Sequence, residues 1–442
     1  MQFDRTDMGN AELIAHLFGK QLRFDWDQKR WLVWEKHYWD EPKGGRLISF
    51  PVLAAKTRLV EAGEDKAEIK FAIDSRNISR INNALELAKT VYPIDGSTTV
   101  WNHYPYLLAS TNGVVDLRTA QLRPGEFSDY ITLHSPVTYD SNAKCPRWDQ
   151  FLREIFYGDM DVINFVQKAA GYSITGETKE QVLFICVGTG ANGKGKFVNT
   201  IHRILGNYSH TLPLNAMDAK NHSPFELAGL VDRRIASASE MGEKLSLDSG
   251  RIKALTGEDL FTARNLYQSY FTFTPVAKFW LSTNNLPEIK DYSHGFWRRI
   301  LTIMFEREFK GEERDNDLET KLMEESEGIL RWLVEGAKKW YEEGLNPPAK
   351  IMQSVFEYRE ENDVISSFIH ARCIIGNEHA VKARELFNDY LLWSQQEQHA
   401  TPLTETAFGL RVKNLYIKKR LEQGVVYRGL SLRPDRTLVL TL

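Results

Sequence analysis

A glycine-rich turn is the part of this sequence whose residue types and spacing most clearly suit chemistry. It reads Gly188-Thr-Gly-Ala-Asn-Gly193-Lys194-Gly195 and has the spacing GxxxxGK. A turn of this kind wraps a phosphate with its backbone N–H groups, and glycines allow the backbone conformations that this requires. The lysine side chain then reaches the β- and γ-phosphates of a nucleotide. We expect the nucleotide to be held by Gly188, Gly190, Asn192, Gly193, Lys194, Gly195 and Lys196.

The residues on both sides of the turn predict the elements that such a loop needs. Residues 181–187 are almost all apolar, as in a strand buried on both faces, and apolar residues recur at helical spacing after Lys194. The alternative is a glycine-rich turn with a surface lysine. A Ser or Thr usually follows the lysine and binds Mg²⁺, but this sequence has Gly195. Either water and a downstream carboxylate hold the metal, or nucleotide hydrolysis is impaired.

Further polar residues stand at the ends of predicted strands downstream of the turn. The predicted strands are residues 234–239, 278–283 and 300–305. A phosphate loop needs a carboxylate for the metal and a group that orients the attacking water. The candidates are Glu240 and Glu243 as the acids, Asn284 as the water-orienting or γ-phosphate-sensing amide, and Arg298 and Arg299 as an arginine finger for a neighbour's nucleotide. The alternatives are that the two acids are solvated loop residues, that Asn284 closes its strand with an Asx-turn, and that the two arginines form salt bridges at the start of a strand.

Composition excludes several classes of protein. The chain has 442 residues, of which 42% are hydrophobic and 26% charged, and its formal net charge is −3. These values exclude a disordered chain and a polycation, so any nucleic-acid contact must use local patches. The three cysteines lie far apart, which fits a reducing cytosol. No apolar run reaches the about 18 residues of a membrane span, so no membrane is expected as a partner.

The pattern along the chain predicts three domains. Residues 1–140 mix helices and strands, with Asn10 expected to cap the first helix, and residues 141–347 alternate helix and strand as in an α/β domain. Residues 348–442 suggest three helices followed by a strand pair, a shape like a winged helix-turn-helix. This last region carries a cluster of net charge +6, formed by Arg411, Lys413, Lys418, Lys419, Arg420, Arg428, Arg433 and Arg436 with Glu422 and Asp435. The cluster is either a nucleic-acid surface or a solvated face.

Five segments together resemble the motifs of superfamily 3 helicases, and most of all those of the phage and plasmid primase–helicase family, which is related to poxvirus-type primase–helicases. The segments read GTGANGKGKFVNTI, RRIASASEMGE, KALTGEDLFTAR, KFWLSTNNLP and DYSHGFWRRILTI. The resemblance covers residues 145–345, and the flanks, including NGVVDLRTAQLRPG, are similar to that family's N-terminal module and C-terminal winged helix. No primase module is apparent. Asp159-Met-Asp161 has the pattern DxD, but it lies in a predicted helical stretch before the strand of the phosphate loop, and we interpret it as the solvated start of a helix.

The resemblance implies an α/β AAA+ ATPase core with an α+β N-terminal domain for oligomerisation or DNA contact and a C-terminal winged-helix domain. The cofactors that it implies are ATP and Mg²⁺. Lys194 would contact the phosphates, and Asn284 would be the sensor residue. Glu240 would be the Walker B acid and metal ligand, with Glu243 as a second acid. Arg298 or Arg299, with a slight preference for Arg299, acts on the neighbouring subunit. The segment from Asp259 to Phe273 resembles a pore hairpin. The expected DNA contacts are Arg264, Asn265, Tyr267 and Gln268 in that hairpin, and Arg411, Lys413, Lys418 and Lys419 in the C-terminal domain.

The function expected from this resemblance is an ATP-dependent 3′–5′ DNA helicase of a phage or mobile element. It acts at replication initiation in the bacterial host cytosol, as a homo-oligomeric ring, commonly a hexamer, on single-stranded or forked DNA. A separate primase or polymerase is a further expected partner. The first alternative is a nucleotide-binding, ring-forming DNA scaffold or initiator without productive hydrolysis, which Gly195 favours. The second alternative is an ATPase that loads or remodels another protein.

Overall fold

A computed structural model of the chain describes residues 3–217, 225–239, 246–264, 270–289, 291–396, 402–421 and 424–434. In the described residues before position 140, helices accompany two small antiparallel sheets, each of three strands. The elements are α1 (Asp7–Phe18), β1 (Leu22–Asp25), β2 (Arg30–Trp34), β3 (Trp39–Asp40), α2 (Arg46–Glu61), α3 (Lys66–Asp74), α4 (Ile78–Ala88), β4 (Leu107–Ser110), β5 (Gly113–Asp116) and β6 (Gln121–Arg123).

The first helix begins before the residue that was predicted to cap it. Thr6 is the N-cap, and its hydroxyl accepts a hydrogen bond from the backbone N–H of Gly9 at 3.0 Å. The prediction of Asn10 as the cap was therefore wrong. Asn10 lies buried inside α1, where its amide donates to the hydroxyl of Ser75 at the end of α3. The side chain thus connects two helices instead of ending one.

The middle of the chain is built on a parallel five-stranded sheet with helices around it. Its elements are α5 (Pro146–Ile155), α6 (Met160–Ser173), β7 (Leu183–Val187), α7 (Lys194–Leu205), β8 (Ser209–Thr211), β9 (Ile235–Ser239), α8 (Ser249–Thr256), β10 (Phe261–Ala263), β11 (Phe271–Phe273), β12 (Lys278–Thr283), α9 (His294–Trp297), β13 (Ile300–Met304), α10 (Leu318–Glu324) and α11 (Ser326–Glu343). The strand order is β13-β7-β12-β9-β8. All neighbouring pairs in this sheet are parallel. The mixed α/β fold and the four predicted strands β7, β9, β12 and β13 are confirmed.

This topology decides which residues can meet. Because the strands are parallel, the segments that follow β7, β9 and β12 share the carboxyl edge of the sheet, whereas the segments that precede β12 and β13 share the opposite edge. Each five-residue strand rises by about 3.3 Å per residue, so roughly 13 Å of sheet separates the two edges. Groups on one edge of the sheet therefore do not reach the other edge within the same subunit.

One predicted helix is two helices in the structure. The apolar spacing from Leu318 to Trp340 suggested a single helix, but α10 ends and α11 begins on either side of Glu325. The carboxylate of Glu325 accepts hydrogen bonds from the backbone N–H groups of Arg147 and Trp148 at 2.9 and 3.0 Å. Glu325 thus satisfies the free N-terminal donors of α5.

The C-terminal residues form a third group of elements. They are α12 (Ala349–Asn362), α13 (Val364–Arg372), β14 (Cys373–Lys382), α14 (Ala383–Gln396), α15 (Glu405–Leu415), β15 (Ile417–Leu421) and β16 (Gly424–Leu432), and the three strands form an antiparallel sheet in the order β14-β16-β15. The strand β14 was not predicted, because its alternation is broken at an irregularity between Ile375 and Ala380. In the described part of the chain, no helix is both long and apolar enough to cross a membrane.

Candidate functional site: a phosphate loop and two distant cation groups

The glycine-rich turn joins β7 to α7, as its sequence predicted. Gly193 precedes the first helical residue and has a φ of +87°, a conformation that residues with a Cβ rarely adopt. A Cβ on Gly193 would also lie 3.0 Å from the ring of Phe151. A Cβ on Gly188 would lie 2.2 Å from Nδ2 of Asn192 and 2.5 Å from the carbonyl oxygen of Phe305. Both glycines are therefore required by the shape of the turn itself.

The side chain of Lys194 links the turn to the neighbouring strand end. Lys194 is only 7% exposed, and its Nζ donates to the backbone carbonyl of Gly188 and, at 3.2 Å, to Oδ1 of Asn284. Asn284 follows β12, which lies beside β7 in the sheet. Two of the predicted catalytic side chains, from positions 90 residues apart, are thus brought into direct contact.

Asn192 gives the turn an unused hydrogen-bond donor. The side chain is 4% exposed, and its Oδ1 accepts from the backbone N–H of Lys194 at 3.4 Å. Its Nδ2 is buried and has no hydrogen-bond partner among the described residues. A buried donor without an acceptor costs about 1–3 kcal/mol, and a phosphate oxygen in the turn would remove that cost. The residues present therefore fit a bound phosphate.

The position after the lysine is open. A Cβ built on Gly195 meets no atom within 4 Å, so packing does not exclude a side chain there. The predicted acids Glu240 and Glu243 lie outside the described residues. The strand that leads to them, β9, ends at Ser239, which is paired with Ser282 of β12 on the carboxyl edge of the sheet. The fit of a magnesium ion thus depends on residues beyond the described strand end.

A cavity of about 230 Å³ adjoins the turn. Its apolar walls include Phe151, Phe309 and Leu318, and the backbone N–H of Phe309 donates to the carbonyl of Ala191 at 3.0 Å. Lys196, which was predicted to hold the nucleotide, borders this cavity and pairs with Glu319 at 2.7 Å. The cavity is smaller than the about 300 Å³ at which pockets for drug-sized ligands begin, and has room for one ring system beside the turn.

The two predicted finger arginines lie at the edge of the sheet opposite Lys194. They precede β13, and Leu183 at the start of β7 donates to the carbonyl of Arg299 at 2.7 Å. Arg298 is exposed and donates to the side-chain oxygen of Gln181 at 2.5 Å. Both guanidinium groups therefore lie too far from their own phosphate loop to act on it.

Arg299 is held more firmly than Arg298. Its guanidinium donates to the hydroxyl of Thr256 at 3.2 Å, to the carbonyl of Gly295 at 2.6 Å and to Gln181 at 3.2 Å. Partial burial lowers the pKa of Arg299, and the neighbouring charge of Arg298 lowers it further. The guanidinium still remains charged at neutral pH, because arginine is always protonated in proteins.

The predicted pore hairpin has its two strands in the structure. β10 and β11 pair antiparallel, with Phe261 opposite Phe273. Arg264, at the end of β10, lies between two aromatic rings, 4.7 Å from the centroid of Phe225 and 4.9 Å from that of Tyr270. The other predicted contacts in this hairpin, Asn265, Tyr267 and Gln268, lie outside the described residues.

The predicted C-terminal DNA contacts divide into two groups. Lys413 on α15 and Lys418 and Lys419 on β15 are exposed. Arg411 instead stacks on Tyr292, with its guanidinium carbon 3.9 Å from the ring centroid. Tyr292 also donates from its hydroxyl to the carbonyl of Asn362 at 2.5 Å. Glu422, Asp435 and Arg436 of the charge cluster lie outside the described residues.

Three residues of this arrangement were missed by sequence reasoning. Gln181 and Thr256 hold Arg299, and Tyr292 covers Arg411. Tyr292 stands in the quoted segment DYSHGFWRRILTI, so its presence was visible, but its partner was not. Contacts between residues far apart in sequence leave no local pattern from which they could be found.

Sequence families cover two stretches of the chain. Residues 11–157 match a family described as "D5 N terminal like", and residues 186–299 match a family of unknown function, DUF5906. The chain is 28% identical over 289 residues to "Putative helicase L207/L206" of Acanthamoeba polyphaga mimivirus, covering 60% of this chain and 30% of that protein. It is 24% identical over 357 residues to "Putative helicase 184R" of Invertebrate iridescent virus 6, covering 71% and 37%. The chain thus spans about a third of the length of these relatives.

Among solved structures, the apo structure of the NrS-1 C terminal region is similar at 11% identity and a TM-score of 0.49, covering 96% of this chain and 99% of that one. At a TM-score below 0.5 this similarity assigns neither fold nor function. The two family models extend over the N-terminal stretch and over the stretch that contains the glycine-rich turn. The chain is thus similar in sequence to viral putative helicases, which supports the predicted resemblance to phage and viral primase–helicases.

Proposed function

We propose that the chain is an ATP-dependent 3′–5′ DNA helicase of a phage or similar mobile element that acts at replication initiation. In this proposal residues 141–347 form a superfamily 3 helicase core of the AAA+ class, and several copies of the chain assemble into a ring, commonly a hexamer. Residues 1–140 hold the ring together or contact DNA, and residues 348–442 form a winged-helix domain. The host cytosol is the expected compartment, and a separate primase or polymerase the expected partner.

One observation supports this proposal above the others. Lys194 and Asn284 meet at the carboxyl edge of the parallel sheet, while Arg298 and Arg299 lie at the opposite edge. An arginine that is too distant from its own phosphate loop has a catalytic use only if a second subunit brings its loop to it. The separation of the two groups therefore favours a nucleotide bound between neighbouring subunits.

The chemistry asked of each residue follows from its position. Lys194 binds the β- and γ-phosphates, and the backbone and Nδ2 of the turn at Asn192 and Gly193 supply further donors. Asn284 orients the attacking water or senses the γ-phosphate. The neighbour's Arg298 or Arg299 stabilises the charge that develops on the transferred phosphoryl group. Glu240 would hold Mg²⁺, which would neutralise charge on the phosphate oxygens.

The cavity beside the turn supports a nucleoside triphosphate as the ligand. A base enclosed by Phe151, Phe309 and Leu318 would lie directly beyond the phosphates at Lys194. Successive ATP hydrolysis by the subunits of the ring would then move the β10–β11 hairpin along a single strand. Arg264 would lie at the base of this hairpin. The exposed lysines of α15 and β15 are proposed to dock the winged-helix domain on DNA.

A forked-duplex assay tests this proposal. We expect purified protein to hydrolyse ATP, to do so faster with single-stranded DNA, and to unwind a fork that has a 3′ tail. Unwinding of only 5′-tailed forks would refute the proposed polarity. Hydrolysis without unwinding would favour an ATPase that remodels another protein.

A second candidate function is a nucleotide-binding ring that serves as a DNA-bound initiator scaffold without productive hydrolysis. Gly195 supports it, because the hydroxyl that usually binds the metal is absent although the structure has room for one. The assay that discriminates is ATP hydrolysis itself. Nucleotide binding without turnover, with and without DNA, would favour the scaffold.

A further inference from the structure

A second surface combines aromatic and cationic side chains. We call it the aromatic–cation strip, and it consists of Tyr104, Tyr106, Arg118, Lys179 and Tyr341. The ring centroids of Tyr104 and Tyr106 are 5.7 Å apart. The guanidinium of Arg118 lies 3.5 Å from the centroid of Tyr106, and Nζ of Lys179 lies 5.6 Å from that of Tyr341. Each of the two cations thus lies close to an aromatic ring of the strip.

The strip is continuous although its residues come from three parts of the chain. Pro105, between the first two tyrosines, accepts a hydrogen bond at its carbonyl from the N–H of Gly176 at 2.7 Å. The next residue, Glu177, accepts from the hydroxyl of Tyr341 at 3.3 Å. Burial and the nearby carboxylate of Glu177 raise the pKa of Tyr341, and the positive charges of Arg234 and Arg118 partly oppose this rise. The two ends of the strip are therefore neighbours in space.

The cations of the strip are held in place. Asp116 makes a bidentate contact with one edge of the Arg118 guanidinium, accepting from Nε at 3.0 Å and from Nη2 at 2.6 Å. This pair of hydrogen bonds fixes the guanidinium plane over Tyr106, while 47% of the Arg118 side chain stays exposed. Lys179 is exposed and lies 4.4 Å from the centroid of Trp340, a residue of the core. A ligand would meet a preformed surface, which lowers the entropy cost of binding.

The strip lies beside the β10–β11 hairpin. Residues 176–181 lead into β7, and residues 257–260 lead into β10. The hydroxyl of Thr178, next to Lys179, donates to the carboxylate of Glu258 at 3.2 Å. The strip therefore continues from the N-terminal sheets to the edge of the parallel sheet where the hairpin begins.

We propose that the aromatic–cation strip binds single-stranded nucleic acid, with bases stacking on Tyr104 and on the outer face of the Arg118 guanidinium, whose inner face rests on Tyr106, and with Lys179 contacting a phosphate. This inference rests on the proposed function, which supplies a single strand at the neighbouring hairpin. Unpaired bases stack on aromatic rings and on arginine planes, whereas a duplex keeps its base faces covered. Because Asp116 and Glu177 offset the positive charges, the strip offers stacking more than net charge, which favours a single strand over a duplex.

Binding of dye-labelled oligothymidylate and oligouridylate to the full chain tests the proposal by fluorescence anisotropy. We expect Tyr106→Ala to weaken single-strand binding about tenfold and Tyr106→Trp to restore it, because an aromatic ring at position 106 supports the Arg118 plane on which a base stacks. Affinity for duplex DNA stays unchanged. Lys179→Ala lowers the slope of log affinity against log salt by about 0.7, as expected for one single-strand phosphate contact. The tighter of the two oligonucleotides identifies DNA or RNA as the natural strand.

Tyr157→Ala is the matched control, since Tyr157 is 60% exposed and lies outside the strip. We expect this variant to leave the affinities for single-stranded nucleic acid and for duplex DNA unchanged. The proposal is overturned if Tyr106→Ala binds both oligonucleotides like the parent while its thermal unfolding is normal. It is also overturned if the strip variants change only the oligomeric state, which would make the strip a subunit contact. If the parent chain binds no single strand, both this inference and the proposed helicase function are overturned. If the parent chain binds a single strand but neither hydrolyses ATP nor unwinds DNA, only the proposed helicase function is overturned.

Discussion

The ammonium group of Lys194 lies 3.2 Å from the amide oxygen of Asn284, which follows a different strand. The parallel pairing of β7 with β12 brings the phosphate loop and the strand end together, in the register of Val187 with Thr283. Two side chains to which the proposed function assigns catalytic roles are therefore in contact in this structure.

Removing either partner of this contact is expected to abolish hydrolysis through different steps. Lys194→Ala loses a phosphate contact and weakens both nucleotide binding and turnover, the latter by about 100-fold or more. Asn284→Ala lowers turnover by a similar factor but leaves nucleotide affinity nearly unchanged, because it acts on the attacking water. Phosphate-release kinetics and equilibrium binding of a fluorescent ATP analogue separate the two effects. Lys43→Ala, at a lysine whose side chain is 87% exposed, is the control.

Adding a hydroxyl at position 195 is expected to strengthen metal binding. The space around a Cβ there is open, so Gly195→Ser fits without moving its neighbours. The variant should reach half-maximal hydrolysis at a lower Mg²⁺ concentration than the parent, and Gly195→Ala should not. Both variants should raise the free energy of unfolding by up to about 1 kcal/mol, because glycine inside a helix is unfavourable. Equal Mg²⁺ dependence of the serine and alanine variants would refute a metal at this position.

The C-terminal cations are expected to contribute unequally to duplex binding. Lys419→Ala should reduce the salt slope of DNA binding by about 1, as expected when one phosphate contact is lost. Arg411→Ala should leave that slope nearly unchanged, because Arg411 is stacked on Tyr292. The stack itself should appear as a coupling energy of about 1 kcal/mol between Tyr292→Ala and Arg411→Ala in a double-mutant cycle of unfolding. A larger slope change for Arg411→Ala than for Lys419→Ala would show that the stack opens on DNA.

Local patterns in the sequence predicted the elements that carry the site. The continuous apolar run before Gly188 and the helical spacing after Lys194 placed the turn between a strand and a helix, and both are present. The strands β9, β12 and β13 were found in the same way. Their order in the sheet is what makes Lys194 and Asn284 neighbours, and order follows from packing that no short window of sequence contains.

Two of the errors share one physical cause, which is a side chain with a distant partner. Glu325 leaves the helical pattern because it caps α5, and Asn10 is buried by its bond to Ser75 instead of capping α1. In each case residue type and spacing suggested a local or solvent-facing role, while a tertiary contact determined the actual one.

The most direct test of the account is to mix two inactive variants of the chain. The first variant, Lys194→Ala, removes the proposed phosphate contact. The second has alanine at both Arg298 and Arg299 and so lacks the guanidinium groups at the opposite edge of the sheet. Each variant alone should hydrolyse ATP at no more than about 1% of the parent rate. Mixing and reassembling the two should restore DNA-stimulated phosphate release, because some interfaces then pair an intact Lys194 with a neighbour's intact arginines. An arginine variant as active as the parent, or a mixture as inactive as its components despite confirmed co-assembly, would contradict catalysis across the subunit interface.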